Sequence, residues 1–348
     1  MRTILGPCNA RLIEILATAH DTRTDVIEYD VDLYDERGDV TVNVNVVPLT
    51  DAASQFQGLA VVLEDITSEK PVNSAFSHYL SPAVIEQLLD DPARLTLAGE
   101  KRDLTFIFTD IAGFTTLTEQ TETAVIMTLL DDYFDRLCGI VLEHGGTIDK
   151  IIDDALHVMF NAPADQKDYP ERALVCAIEL WKASEALRLE QHAKGVNLGQ
   201  TRISANTGPA VVGNVGGTDR FDYTAYGDAI NTAARLEGVN RYFGTRLCVS
   251  GSTKRPCTKI ALRPVGHLIL KGKTEAIDVF EPLLSAEVAS QRLTDYLACY
   301  GLLERKQSGA AAAFAELAER FPDGRLINFH AQRLTGGETG STIIMTGK

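Results

Sequence analysis

The first candidate for chemistry is an acid that follows an apolar, strand-forming run. The run covers residues 104–108, Asp110 comes two residues later, and a Gly-Phe-Thr turn at residues 113–115 leads into a polar, helix-like segment. A carboxylate at the end of a buried strand can hold a divalent cation. Backbone N–H groups of a glycine-containing turn before a helix suit an anion such as a polyphosphate. Alone, this pattern is equally typical of an ordinary strand end, because aspartate often begins a turn.

Four further segments carry residues that could serve the same chemistry. Asp154 lies between two apolar strand candidates and follows Lys150 by four residues. Residues 207–216 and 223–237 combine glycines with polar and basic side chains, and Lys271-Gly272-Lys273 comes last. Any one of the five segments would be a weak signal, but together and in this order they make a strong one.

In this order the five segments resemble those of the catalytic domain of class III nucleotidyl cyclases, which make cyclic AMP or cyclic GMP. The resemblance covers residues 99–284 and implies an α+β fold with a ferredoxin-like core. It also implies the reaction, in which the ribose 3′-hydroxyl of a nucleoside triphosphate attacks the α-phosphorus and expels pyrophosphate. An enzyme of the phosphorus–oxygen lyase class, acting in intracellular signal transduction, is therefore expected.

The resemblance implies two Mg²⁺ or Mn²⁺ ions per active site, which acidify the attacking hydroxyl and clamp the reacting oxygens. Their expected ligands are oxygens of Asp110, Ile111 and Asp154, as hard cations prefer. The chain departs from the family pattern at Asp153, where a glycine usually precedes the second acid. Aspartate tolerates the positive φ of a tight turn, so we expect the hairpin to survive. The extra acid could alter the metal preference.

The residues that the resemblance assigns to base recognition are Lys150 and Thr224. A lysine donates to N1 of adenine and a threonine hydroxyl accepts from N6, whereas guanylyl cyclases typically carry glutamate in place of the lysine. Lys150 therefore favours ATP as the substrate and cyclic AMP as the product. The Lys–Thr pair is also similar to that of cyclases that respond to bicarbonate, so regulation by bicarbonate or another small molecule is an open expectation.

Asn231 and Arg235 are four residues apart and would share one face of a helix. In the family, this asparagine orients the ribose and this arginine stabilises charge on the reacting phosphate. Lys271 is expected at the terminal phosphates, with Lys273 as its neighbour. Three turn residues complete the expected substrate-binding set: Gly113, Phe114 and Thr115. Phe114 is equally suited to the hydrophobic core.

A symmetric homodimer with two active sites is expected. Lys150 and Asp154 lie on opposite sides of one tight turn, so one chain is not expected to offer both to the same nucleotide. The family solves this with a head-to-tail dimer, in which one protomer contributes the two aspartates. The other contributes the base-recognition and transition-state residues: Lys150, Thr224, Asn231 and Arg235. This chain carries both sets, which favours a homodimer over a heterodimer.

The elements that position these residues are predicted to alternate in type. Strands are predicted at residues 104–108, 147–152, 155–160, 201–207, 210–215, 247–250 and 263–270. Helices are predicted near residues 121–143, 168–193 and 229–239, and hairpins at residues 153–154 and 208–209. This pattern favours an α+β sandwich with helices packed on one sheet.

Segments of different character flank the cyclase-like region. Residues 1–70 contain three strand candidates and end at residues 65–70 in a sequence that resembles the close of a PAS sensor domain. The unit is shorter than a full PAS domain, so a dimerising scaffold that binds nothing is the alternative. The domain boundaries that we expect are 1–70, 71–100 (a linker with a coupling helix after Ser81-Pro82), 101–284 (cyclase) and 285–348. The last segment contains two amphipathic helices, at residues 293–304 and 310–320, expected to pack on the cyclase or a partner.

The composition of the chain argues against several classes of function and location. A formal net charge of −15 argues against general nucleic-acid binding, which needs a basic face. The six cysteines show no CxxC spacing and are typical of buried thiols in a cytosolic protein. No run approaches 18 apolar residues, so no transmembrane segment is expected, and a cytoplasmic location follows as an expectation. Two other functions stay open: a pseudo-enzyme, suggested by Asp153, and a PAS-type interaction module.

Overall fold

The computed structural model describes residues 9–35, 38–51, 55–65, 99–217 and 221–345. The chain divides into two units, Met1–Ile85 and Glu86–Lys348. None of the helices in the described ranges is long and apolar enough to cross a membrane. The PAS-like ending at residues 66–70 and the coupling helix predicted after Ser81-Pro82 lie outside the described residues.

The N-terminal unit is a helix on a three-stranded antiparallel sheet. Helix α1 (Ala10–Thr22) packs against strands β1 (Val26–Asp35), β2 (Gly38–Thr50) and β3 (Phe56–Asp65), in the order β1-β2-β3. The alternating valines of β2 at positions 42, 44 and 46 are buried against α1, as the period of two predicts. The sequence predicted the strands but not the helix.

The second unit begins with the pattern strand, helix, strand, strand, helix, strand. Its elements are β4 (Gly99–Ile111), α2 (Phe114–Gln120), α3 (Thr123–Glu143), β5 (Thr147–Ile152), β6 (Ala155–Phe160), α4 (Tyr169–Ala193) and β7 (Thr201–Gly216). The four main strands lie in the order β7-β4-β6-β5, which is the ferredoxin-like arrangement of a split βαβ motif. The predicted mixed α+β fold is therefore confirmed.

From Leu104 onward, strand β4 is buried on both faces, which explains the mostly apolar sequence of this part of the strand. Ile107 and Ile111 face the core formed with α3 and α4. Phe106 and Phe108 face the opposite core, which includes Ala229 and other residues of α5 (Asp228–Phe243). Because the strand is fixed from both sides, the residues at its carboxyl end are held in place.

One prediction about the strands is wrong. Residues 208–209 were predicted to form a hairpin, but β7 runs unbroken from Thr201 to Gly216 along the whole of β4. On its other edge, β7 pairs with β9 (Leu247–Ser250) at residues 203–205 and with β8 (Phe221–Tyr226) at residues 211–216. Pro209 lies between these two pairings, where a missing N–H need not remove a ladder hydrogen bond.

The C-terminal elements pack on the same unit and form a second core. After α6 (Gly251–Lys254) come β10 (Leu262–Ile269), β11 (Ile277–Pro282), α7 (Ser285–Val288), α8 (Gln291–Glu304), α9 (Ala310–Arg320), α10 (Arg325–Thr335) and β12 (Thr342–Ile344). Residues of α8–α10 share a hydrophobic cluster with α5 and β10. The two predicted helices are present and pack on the neighbouring sheet and helix as expected, whereas α10, β11 and β12 were not predicted.

Candidate active site

The two aspartates predicted to bind metal are distant in the sequence but close together in the structure. Asp110 is near the end of β4, and Asp154 is in the two-residue turn that joins β5 to β6. The Asp154 carboxylate accepts a hydrogen bond of 2.8 Å from the backbone N–H of Ile111, which ties the turn to the end of β4. Asp153 precedes it with a φ of 54°. The hairpin thus survives the departure from glycine, as predicted.

A glycine allows the chain around these acids to pack closely. A Cβ at Gly199 would lie 1.7 Å from the carbonyl oxygen of Ala112, so no other residue fits at this position. The backbone N–H of Ala112 also donates to the carbonyl of Gln200 over 3.0 Å. The loop before β7 therefore fixes the backbone that follows Asp110.

Three acids lie close together in this part of the site, which we call the metal side and define by Asp110, Asp154, Arg202 and Glu237. Burial raises the pKa of Asp154, and the nearby Asp110 carboxylate adds to the shift. Burial also raises the pKa of Glu237 to about 7, again with a contribution from Asp110. Each acid thus lies where additional positive charge would be stabilising.

Arg202 supplies the counter-charge and was missed by the sequence analysis. Its guanidinium forms an ion pair with Asp110. Its Nε lies 3.1 Å from Oε1 of Glu237, yet neither of these buried atoms makes a hydrogen bond within the described part of the chain. Pairing on the metal side is therefore incomplete, since one arginine is shared by two acids and Asp154 has a backbone donor instead.

The donor atoms of the metal side fit a hard divalent cation. Within the described ranges, no group of three or more His, Cys, Asp or Glu side chains could hold a metal ion. Mg²⁺ commonly relies on one or two carboxylates, and oxygens of its substrate complete the coordination. The carboxylates of Asp110 and Asp154 match that type of site, and the backbone carbonyl of Ile111 stays a predicted third ligand.

The structure brings the two predicted base-recognition residues together. Lys150 on β5 donates from Nζ to Oγ1 of Thr224 on β8 over 3.0 Å. The same Nζ lies 3.1 Å from Oδ1 of Asp149, whose side chain is only 7% exposed. Asp149 is a residue that the sequence analysis did not single out. We call Asp149, Lys150 and Thr224 the base side.

Helix α5 presents both predicted transition-state residues to solvent. Asn231 and Arg235 are exposed on α5, and the amide of Asn231 donates to the carbonyl of Gly227 over 3.3 Å. The start of α5 packs tightly on β7, because a Cβ at Gly227 would lie 3.1 Å from the carbonyl oxygen of Pro209. The backbone of β7 therefore sets the position of the residues on the first turns of α5.

The residues predicted to bind phosphate differ in their exposure and in their contacts. Gly113 has a φ of 74° and precedes α2, and Thr115 is exposed. Phe114 packs against the core of α3 and α4, which favours its structural role. Lys271 is exposed, whereas Lys273 forms an ion pair with Asp228 at the start of α5.

A cavity of about 400 Å³ joins several of these residues within one chain. Asp110, Arg202 and Glu237 line it together with Arg235 and Lys271. The base-side residues and Asn231 are not among its lining residues. One chain therefore gathers three of the predicted site residues around one cavity and holds the base-recognition pair apart from it.

The family model for the adenylate and guanylate cyclase catalytic domain matches residues 97–281, which is more than half of the chain. The chain belongs to this family. The N-terminal β-rich unit lies outside the matched region.

Two curated cyclases extend the match beyond this domain. Adenylate cyclase 1 of Rhizobium meliloti is 33% identical over 249 residues, which cover 67% of this chain and 37% of that protein. An adenylate cyclase of Anabaena cylindrica is 31% identical over 255 residues, covering 71% and 48%. The chain thus spans less than half the length of these two relatives.

Solved structures share the fold. The adenylyl cyclase CyaB from P. aeruginosa is 32% identical, with a TM-score of 0.51, over 54% of this chain and 97% of that one. A bacterial light-regulated adenylyl cyclase is 25% identical, with a TM-score of 0.53, over 62% of each chain.

Proposed function

We propose that the chain is an adenylate cyclase that converts ATP to 3′,5′-cyclic AMP and pyrophosphate. The observation that carries the proposal is the hydrogen bond between Lys150 and Thr224 in a domain of the cyclase family. A lysine ammonium has three donors, of which two are directed at Asp149 and Thr224. The third remains for N1 of adenine, and the second lone pair of the threonine hydroxyl remains for its N6 amine.

Guanine fits the same residues less well. Its N1 and N2 are donors and need acceptors, which a carboxylate would provide. Here Lys150 offers only donors, so the N1–H of guanine would face an ammonium that cannot accept its hydrogen bond. A site built around hydrogen bonds discriminates against a base that leaves its polar groups unpaired, so ATP is the preferred substrate.

The metal side prepares the reacting groups. When bound, two divalent cations would acidify the ribose hydroxyl and neutralise charge on the phosphates, and Asp110 and Asp154 would hold them. A cation bound by Asp110 would replace Arg202 as the counter-charge of that carboxylate, so the Arg202 guanidinium would be free to interact with the phosphates. Asn231 orients the ribose, Arg235 stabilises charge on the α-phosphate, and the turn at Gly113 and Thr115 donates to the triphosphate.

Exposed apolar residues support a homodimer. Ile151 follows Lys150 directly and is 49% exposed. Tyr226 on β8 is 61% exposed and pairs across the strands with Val211, which is 45% exposed. Apolar side chains beside polar site residues are typical of an interface core. We infer that a second copy covers them and that its metal side completes a site with this chain's base side.

The N-terminal unit would regulate the cyclase. Its sheet and helix are consistent with a shortened PAS-like module, and we propose a sensor or dimerising role for it. Bicarbonate or another small molecule is the proposed class of input. Addition of bicarbonate to a turnover assay, with and without residues 9–65, would separate a response of the catalytic domain from one of the N-terminal unit.

A turnover assay tests the main proposal. Purified chain is incubated with ATP or GTP and with Mg²⁺ or Mn²⁺, and cyclic nucleotides and pyrophosphate are measured. We expect cyclic AMP with equimolar pyrophosphate, and at least about tenfold lower kcat/KM with GTP. Equal use of both purines would contradict the base-side assignment. Binding of nucleotide without any product would favour a pseudo-enzyme.

A further inference from the structure

The C-terminal strand reaches the cavity that contains the phosphate-binding lysine. Strand β12 lies parallel to β10, and the backbone N–H of His267 donates to the carbonyl of Ser341 over 2.9 Å. At the other end, the N–H of Met345 donates to the carbonyl of Ile269 over 3.0 Å. Lys271 follows Ile269 by two residues, and both Met345 and Lys271 line the cavity.

The strand is held firmly although it has only three residues. Ile343 is 5% exposed and belongs to the second core, whereas its neighbour Ile344 is 67% exposed. A Cβ at Gly266 would lie 2.8 Å from Cδ1 of Ile343, so the isoleucine packs directly onto the backbone of β10. Arg333, with 3% of its side chain exposed, donates to the carbonyl of Gly340 over 2.6 Å. The buried contacts of Ile343 and Arg333 therefore hold β12 against β10.

The loop that carries Lys271 is anchored again at its far end. The N–H of Lys273 donates to the carbonyl of Leu270 over 2.9 Å, and the Lys273 ammonium pairs with Asp228 at the start of α5. Gly272 adopts a φ of 73° between these points, within reach of the Arg235 guanidinium. Lys271 therefore lies between two anchors, β12 on one side and α5 on the other, with its own side chain exposed.

We propose that β12 is a positioning element for Lys271, with Ile343 as its anchor and Met345 as a wall of the cavity. The inference rests on the proposed cyclase function for its kinetic consequence, but its structural part does not. A strand paired with β10 restricts the backbone from Ile269 to Lys271, and so restricts where the ammonium meets the terminal phosphates. Loosening of β12 would weaken phosphate binding without removing any catalytic group.

A matched pair of variants in one strand tests the inference. Ile343→Ala should raise KM for ATP by about tenfold with kcat changed by less than about threefold, because uniform binding is lost. Ile344→Ala removes the same atoms from the exposed face and should leave both constants unchanged. Ile343→Val retains most of the buried side chain and should restore KM to near the wild-type value. Equal effects of Ile343→Ala and Ile344→Ala would overturn the proposal.

A double-mutant cycle separates positioning from general destabilisation. If Ile343 acts through Lys271, then Ile343→Ala should change KM by less than about twofold in a Lys271→Ala background. Independent, multiplicative effects of the two substitutions would show that Ile343 does not act through the lysine and would overturn the proposal.

Hydrogen exchange without substrate gives a readout that does not depend on turnover. The amides of His267 and Met345 should exchange faster in Ile343→Ala than in wild type or Ile344→Ala, and residues 270–273 should lose protection with them. Unchanged exchange in this loop would overturn the proposal even if the enzyme were active. Faster exchange in a chain that makes no cyclic AMP would support the positioning role and refute the proposed activity alone.

Discussion

The base side and the metal side of the candidate site differ in how their polar groups are paired. On the base side, Lys150 has a buried carboxylate and a hydroxyl within hydrogen-bond distance, all within one chain. On the metal side, Arg202 is shared between Asp110 and Glu237, and burial raises the pKa of Glu237 to about 7. One side is complete before substrate arrives, and the other holds negative charge in excess.

This difference suggests a division of labour. Preformed hydrogen bonds select a ligand without a cost for reorganisation, and they act equally on ground state and transition state. Unbalanced buried charge is costly in the free protein, but metal ions and substrate relieve it when they bind. The base side would thus set which nucleotide binds, whereas the metal side would set whether it reacts.

The largest expected effect comes from removal of the metal-side acids. Asp110→Ala and Asp154→Ala should each lower kcat by at least about 10³-fold, because metal ions supply several kcal/mol of transition-state stabilisation. Asp153→Gly, in the same turn, restores the family residue and should stay within a few-fold of wild type. Cyclic AMP formation with Mg²⁺ and Mn²⁺ is the measurement. Full activity of either alanine variant would refute the metal assignment.

Asp110→Ala also tests whether the metal side and the base side of one active site belong to different chains. Arg235→Ala should also be nearly inactive as a homodimer, yet an exchanged 1:1 mixture with Asp110→Ala should recover about a quarter of the wild-type rate. Both lesions then fall in one site of each mixed dimer and leave the other intact. Because Asp110 and Arg235 also line one cavity within a chain, a mixture that stays inactive after proven subunit exchange would favour a single-chain site.

The next prediction concerns nucleotide selectivity on the base side. Lys150→Glu places a carboxylate opposite the N1 acceptor of adenine and offers an acceptor to N1 and N2 of guanine. The ratio of kcat/KM for ATP to that for GTP should fall by about 10²- to 10³-fold. Lys271→Ala, which instead removes the lysine proposed to meet the terminal phosphates, should lower both values of kcat/KM and keep their ratio. A ratio that does not move in Lys150→Glu would separate base selection from this lysine.

Local patterns in the sequence predicted several short strands well, although β8, which carries Thr224, was not among them. Strands β5, β6 and β9 agree with the predicted residues 147–152, 155–160 and 247–250, because short apolar runs between turn residues have few alternative structures. The Gly208-Pro209 hairpin failed because a local turn signal was overridden by pairing along β4. Propensity at two residues is weak against a ladder of thirteen paired positions.

Features that depend on distant contacts were missed. Arg202 has partners 92 and 35 residues away in the sequence, at Asp110 and Glu237, and no local motif surrounds it. Strand β12 has three residues and exists because it adds to β10. The candidates for metal binding and base recognition could be predicted because they belong to motifs. Arg202 and Asp149, which pair with them, belong to none and were missed. A signal for Arg202 was available in one respect, because it is a basic residue directly beside the buried strand residues 203–206.

The smallest expected effect tests whether the base side is complete because of Asp149. This carboxylate holds Lys150 toward Thr224, and Asp149→Asn replaces a charged acceptor with a neutral one of the same shape. Lys150 is 37% exposed, so solvent screens the ion pair. The loss of ATP-binding free energy should be about 1 kcal/mol, or about fivefold in KM for ATP.

Asp228→Asn is the matched control, because its carboxylate pairs with Lys273 away from the base. It should leave the ATP-to-GTP ratio unchanged, whereas Asp149→Asn should lower that ratio because a freer lysine selects less strictly. If Asp149→Asn left both KM and the ratio unaltered, Thr224 and the nucleotide alone would suffice to place Lys150, and the base side would be assembled on binding like the metal side.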